Sequence, residues 1–310
     1  LAKLGHKKIL WVSGPHHHHQ SNQRFVGITQ AANQFGIQLD VMQAPSLDFL
    51  AGEQIAPLII ARGPLPENLL VVGMTLYDGD MGIPAHFLVP PTRVTGTVSE
   101  LLATAGIAQY AVAETQKFGH VTYFWNGNRS EKFNAQLETW EEIPSDNVSF
   151  DKLPKMKAKE TGDAVVSAIE SGKYPFIRCN FAGGDMVGHT GDIPASIIAV
   201  EAIDEALIRV NAAVKAAKGT LLITADHGNC EVLIERDKNG APLFDAHGVA
   251  VPKKSHTLSP VPFIAIDYST RTITSGGVSD AGISNIAATI LALLGQPIPA
   301  DYRPTLLSVS

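Results

Sequence analysis

The chain has 310 residues, 45% hydrophobic and 17% charged, with a formal net charge of -6 and an isoelectric point near 6.0. That length and composition suit one large or two modest globular domains, able to bury a core without disulfides. The acidic balance argues against nucleic-acid and membrane-surface partners, which need a basic face, and leaves room for a local basic pocket taking a small phosphate ester.

The chain opens as strand (8–12), helix (23–35, ended by Gly36) and strand (37–42), the alternation of a parallel sheet. Four prolines break 44–66, leaving one apolar stretch at 58–61; 69–75 reads as a strand. Pro90-Pro91 marks a domain boundary, giving domains 1–90 and 91–310. Beyond it come a helix at 98–105, strands at 110–113 and 121–125, a helix at 161–171 and a strand at 176–180. A long helix, 194–217, follows, with Asp192 as its cap and Pro194 in its first turn. Strands at 220–224 and 262–266 precede a last helix that Ser284 caps and Gly295 ends. The architecture expected is α/β: a doubly wound domain carrying a smaller, reduced α/β domain before it. Cys179 and Cys230 each follow an apolar run and read as buried free thiols of a reducing cytoplasm. No run reaches membrane-span length, no signal peptide opens the chain, and Leu1 is not an initiator, so the sequence reads as a piece of a longer, cytoplasmic product.

Doubly wound sheets carry their sites at the carboxyl ends of strands, and polar clusters fall there. Asp185 and His189 follow the strand at 176–180, Asp226 and His227 follow 220–224, and His256 precedes the strand at 262–266. Two carboxylates and three imidazoles suit Mn²⁺ or Zn²⁺ more than Ca²⁺. One Asp-His pair alone is more often a capped turn; three clusters in one sheet favour metal, and all five ligands are expected to converge on one pocket. Lys117 and His120 sit in a short link between two strands, where an isolated lysine reads equally well as a surface residue. His6, His86 and His247 read as solvated histidines, and the run 16–19 as a native loop rather than a purification tag.

The stretches YDGDMGIPAHFLVPP, ETQKFGHVTYFWNGNRS, AGGDMVGHTGD, LLITADHGN, SHTLSPVPF and DYRPTLLSV together resemble the cofactor-independent phosphoglycerate mutases of the alkaline phosphatase superfamily, in the manner of the plant and trypanosomatid branch. The resemblance implies an isomerase that interconverts 3- and 2-phosphoglycerate in glycolysis through a phosphoserine. It implies two divalent ions and no 2,3-bisphosphoglycerate: Mn²⁺ first, with Mg²⁺, Co²⁺ or Zn²⁺ as alternatives. One ion falls to Asp185, His189 and His256, the other to Asp226 and His227, and Lys117 contacts the phosphoryl group in transit. Small-molecule phosphoglycerate is then the partner, and the protein is expected to be a monomer.

The family's nucleophilic serine motif and its first metal-binding Asp do not occur in this sequence. Residues 1–90 read as a remnant of the substrate-clamping domain, with His16 in a Ser-Gly-Pro-His loop and Arg62 near a former arginine-bearing strand as substrate-binding candidates. The chain is then a fragment, an incompletely recorded sequence or a degenerate homologue, the first two favoured by Leu1. Another metal-dependent phosphomutase or phosphatase of the superfamily and a non-catalytic metal-binding homologue are the competing readings.

Overall fold

The structure, a computed structural model, describes residues 5–14, 19–45, 49–64, 69–76, 84–90, 92–237 and 239–310. The chain divides into two compact units, Leu1–Pro90 and Pro91–Ser310.

In the first unit β1 (Lys8–Ser13), α1 (His19–Phe35), β2 (Gln38–Gln43) and α2 (Phe49–Ile60) follow in order. β1 and β2 pair in parallel from Lys8↔Gln38 to Ser13↔Gln43. Parallel neighbours need a crossover, which α1 supplies. The stretch at 58–61 is not a strand remnant: it closes α2, where Ile55 packs with Ala44, Met42 and Ile59. A short parallel pair, β3 (Gly73–Thr75) and β4 (Phe87–Val89), completes the unit. The strand expected at 69–75 thus shrinks to three residues.

The second unit begins with α3 (Val98–Thr104), β5 (Gln109–Glu114), α4 (Thr115–Val121), β6 (Glu138–Ile143), α5 (Ala158–Glu170), β7 (Phe176–Asn180), α6 (Gly183–Gly188) and α7 (Ile193–Ala216). It continues with β8 (Thr220–Thr224), β9 (Phe263–Asp267), β10 (Ile273–Ser275), a 3-10 turn (Ile283–Asn285), α8 (Ile286–Leu293) and β11 (Leu307–Val309). β5 is the middle strand of a parallel sheet ordered β6-β5-β7, and every residue of it is buried. One face, Tyr110 and Val112, packs on Val165 and Ala168 of α5 and Val210 and Val214 of α7. The other, Ala111 and Ala113, is small enough for α4 to approach with Val121. Burial on both faces is what an unbroken apolar parallel strand requires.

β7 and β8 share the same two helical layers. Phe176 and Leu222 pack with α3 and α8, whereas Ile177, Cys179 and Leu221 pack with α5 and α7. Leu102 and Leu291 are fully buried in the α3–α8 layer, each worth about 2 kcal/mol of apolar burial. Asp192 accepts a hydrogen bond from the Ala195 amide at 2.8 Å and Pro194 occupies the first turn of α7.

Three expectations change. The run 121–125 is not a strand: Val121 ends α4 and the next residues turn tightly, with Asn126 N–H donating to Thr122 O at 2.8 Å. Of its aromatics, Trp125 serves as packing, stacking on Phe176 at 6.0 Å and donating to Ser99 Oγ at 3.0 Å. Gly127 (φ 74°) ends the turn where a Cβ would lie 2.1 Å from Val94 O. Ser284 does not cap the last helix; it lies inside the 3-10 turn, and Asn285 Oδ1 accepts from Gly282 N–H at 2.9 Å. Finally, β9 runs antiparallel to β8, from Thr220↔Asp267 to Thr224↔Phe263. That reversal matters for the site, because the beginning of β9 lies beside the carboxyl end of β8. No helix among the described residues is long and apolar enough to cross a membrane.

Candidate metal centre

Asp185 lies on α6, just after β7, and His189 is the residue that ends this helix. A spacing of four on a helix puts both side chains on one face, and His189 Nε2 is 3.2 Å from Asp185 Oδ1. His256 enters from the segment before β9, where the Gly228↔Thr257 bridge ties it to the loop after β8. Its Nε2 is 2.9 Å from Asp185 Oδ1 and 3.1 Å from His189 Nε2. Three ligand atoms about 3 Å apart have the spacing of neighbouring ligands on one cation held at about 2.1 Å.

The ring chemistry fits as well. His189 Nδ1 lies 2.6 Å from Lys254 O. A carbonyl only accepts, so Nδ1 carries a proton and Nε2 is the nitrogen that turns towards Asp185 and His256, the atom that a bound cation would take once its proton is released. These three residues form the described cluster with metal-ligand geometry.

His227 stacks on His256, centroids 3.6 Å apart, and its Nδ1 is 4.0 Å from Asp185 Oδ1. Asp226 joins through His227 Nε2, 3.5 Å from its Oδ2, and is more exposed than the rest. Asp185, His189 and His256 therefore meet at ligand spacing, with His227 against them and Asp226 joined only through His227. Asp226 and His227 form a pair beside the three-residue group.

Lys117 requires a correction of setting. It is not in a link between strands but on α4 directly after β5, and it is buried. Its ammonium meets Asp185 Oδ2 at 2.5 Å, with side-chain exposures of 8% and 14%. The surface reading of this residue is excluded by that contact. Arg62 lies just beyond α2 in the first unit, where it holds Asp40 at 2.9 Å on the surface. His16 falls outside the described residues.

Two contacts were not read from the sequence. Asn229 hydrogen-bonds Asp185 Oδ1 at 2.9 Å; its signal was its place two residues after His227. The Lys254 carbonyl had no signal, since any residue supplies one.

Asp185 is held well below the usual carboxylate range: burial raises it, but hydrogen bonds from His189, Lys117 and Asn229 outweigh burial. His189 is raised, chiefly by its hydrogen bond with Asp185. His256 is lowered by burial, and His120 by burial and then by Lys117. A depressed carboxylate contributes stability above its unfolded value of about 3.9, lost as pH falls; a raised imidazole contributes below about 6.5, lost as pH rises through its raised value. The Asp185–His189 pair should therefore contribute most to the metal-free chain between about pH 4 and 6.5, whereas the lowered His256 and His120 act in the opposite sense, adding stability as pH rises through about 6.5. In chelated protein His189 is expected to lose its contribution from pH 6 to pH 8, so the urea midpoint of the native chain should lose more over that range than that of His189→Gln. With saturating Mn²⁺ the trend should reverse, because a ligating His189 must release its Nε2 proton. Parallel curves with and without metal would contradict the assignment.

The model of the metalloenzyme superfamily matches residues 3–298; the chain belongs to that superfamily. Its relatives narrow the class. The 2,3-bisphosphoglycerate-independent phosphoglycerate mutase of Trypanosoma brucei brucei is 51% identical over 240 residues, 77% of this chain and 44% of the relative. An Arabidopsis thaliana mutase of the same description is 46% identical over 241 residues, 76% of this chain and 43% of the relative. A crystal structure of Leishmania mexicana phosphoglycerate mutase at low cobalt concentration is similar with a TM-score of 0.74 and 46% identity, covering 77% of this chain and 44% of that one. The fold is thus the alkaline-phosphatase-like α/β fold of that group, and the chain spans less than half the length of the curated relatives it matches.

Proposed function

We propose that this chain is the metal-binding part of a 2,3-bisphosphoglycerate-independent phosphoglycerate mutase, an isomerase that interconverts 3- and 2-phosphoglycerate in glycolysis through a phosphoserine. The observation that carries the reading is the buried Lys117–Asp185 contact beside the ligand atoms of His189 and His256. In this reading Asp185, His189 and His256 hold one divalent ion, and Asp226 and His227 contribute to a second, with Mn²⁺ preferred. Bound cations neutralise phosphoryl oxygens and lower the pKa of an attacking hydroxyl. The chain's own residues do the rest: Lys117 offers its ammonium to a phosphoryl oxygen, and Asp185 holds that ammonium in place. Residues 1–90 are assigned to the substrate-clamping domain, with His16 and Arg62 as contacts to glycerate, and residues 91–310 to the phosphatase-like domain. The enzyme is taken to be cytoplasmic and monomeric.

Calorimetric titration with Mn²⁺ and an enolase-coupled assay, on protein of confirmed mass, test this. One Mn²⁺ should bind tightly and a second weakly, because two protein ligands make a poor site. The chain alone should hydrolyse phosphate esters slowly and leave 3-phosphoglycerate unisomerised; a longer form that adds the nucleophilic serine should isomerise it without 2,3-bisphosphoglycerate. No isomerisation by the longer form would defeat the proposal.

A further inference from the structure

Asn229 stands out among residues to which the metal reading gives no part. It is 5% exposed, and its Nδ2 donates to two atoms of one residue: Asp185 Oδ1 at 2.9 Å and Asp185 O at 3.3 Å. The amide can face only one way. Reversed, its oxygen would meet the carboxylate and the carbonyl, acceptor against acceptors. Its own Oδ1 is buried without a hydrogen-bond partner among the described residues, so the orientation of the amide is set from its donor side.

The effect on Asp185 is geometric. Oδ2 is taken by Lys117, and one lone pair of Oδ1 is taken by Asn229, which leaves the other directed at the gap between His189 and His256. The backbone contact couples the amide to the α6 main chain as well, so side chain and backbone of Asp185 are fixed by one group. Gly188 completes the arrangement. A Cβ there would lie 2.4 Å from Asn229 Oδ1 and 2.9 Å from its Cγ, so any larger residue displaces the amide.

We propose that Asn229 is the positioning residue of the metal centre, orienting the Asp185 carboxylate for a divalent cation, and that Gly188 is the residue that admits it. The proposal rests on the reading of Asp185, His189 and His256 as ligands. Partners that orient a ligand in this way are worth about 10- to 100-fold in metal affinity.

The test uses Co²⁺ alone as probe on the whole chain, read by visible absorption and by calorimetry, with the melting temperature of each metal-free variant measured beside it. Asn229→Ala is expected to weaken Co²⁺ binding about 10- to 100-fold and to change the ligand-field spectrum. Gly188→Ala, whose added methyl meets Asn229 rather than a ligand side chain, is expected to weaken it similarly. The double variant should bind like Asn229→Ala, because the space that the new methyl needs is then vacant. Wild-type chain that takes up no Co²⁺ refutes the metal reading itself. Tight wild-type binding with unchanged affinity and spectrum in Asn229→Ala, even with a lowered melting temperature, makes Asn229 a packing residue and overturns the proposal. Additive losses in the double variant overturn the part given to Gly188.

Discussion

Asp185→Asn is expected to remove tight divalent-metal binding from this chain altogether. Oδ1 of Asp185 is the atom on which the cluster converges, 2.9 Å from His256 Nε2 and 3.2 Å from His189 Nε2. The substitution keeps the shape and withdraws the only negative charge among those three ligands. Structural zinc sites release roughly 10–16 kcal/mol over four ligands, so one ligand accounts for about 2.5–4 kcal/mol, on the order of a hundredfold to a thousandfold in affinity. Calorimetry with Mn²⁺ at pH 7.5 should give a clear isotherm for the native chain and no measurable heat of binding for the variant. An unchanged isotherm would place the ion elsewhere.

The second large effect concerns Lys117. As a surface lysine its replacement would cost the fold little, but its ammonium is buried against Asp185. Lys117→Met leaves that carboxylate enclosed without its counter-charge, and breaking a buried pair from one side costs about 3–5 kcal/mol. In a unit of this size that amounts to a fall of about 6–20 °C in melting temperature. Metal should change the answer, because a cation on Asp185 replaces the missing charge. The difference in melting temperature between native chain and variant is therefore expected to be large in EDTA and much smaller in excess Mn²⁺. A difference independent of metal would mean that Lys117 and the cation do not share Asp185.

What the sequence disclosed followed from where physics leaves a local mark. β7, β8 and α7 were legible because apolar runs buried on two faces stand out, and because Asp192 and Pro194 together mark a helix start. β6 was missed: its Glu-Thr-Trp-Glu-Glu-Ile lacks a strand's apolar signature, since it is paired only on one side and carries exposed glutamates. The composition of 121–125 predicts a strand, yet Thr122–Gly127 turns tightly, with Trp125 finding partners in α3 and β7. The metal-centre candidates were legible through residue type. Asn229 and the Lys254 carbonyl were not, since their contributions arise only once distant loops are brought together.

His189 and His256 are 67 residues apart in the chain, and the segment between them contains an antiparallel excursion whose rungs include Ile234↔Pro252 and Phe244↔Ala250. A cation gripped from both ends would act as a removable staple across that whole span. Closing a loop of this length withdraws about 4 kcal/mol of chain entropy from the unfolded ensemble. Opening β8 and β9 would then require the staple to let go first, which makes the free cation concentration a brake on unfolding as well as a supplier of chemistry.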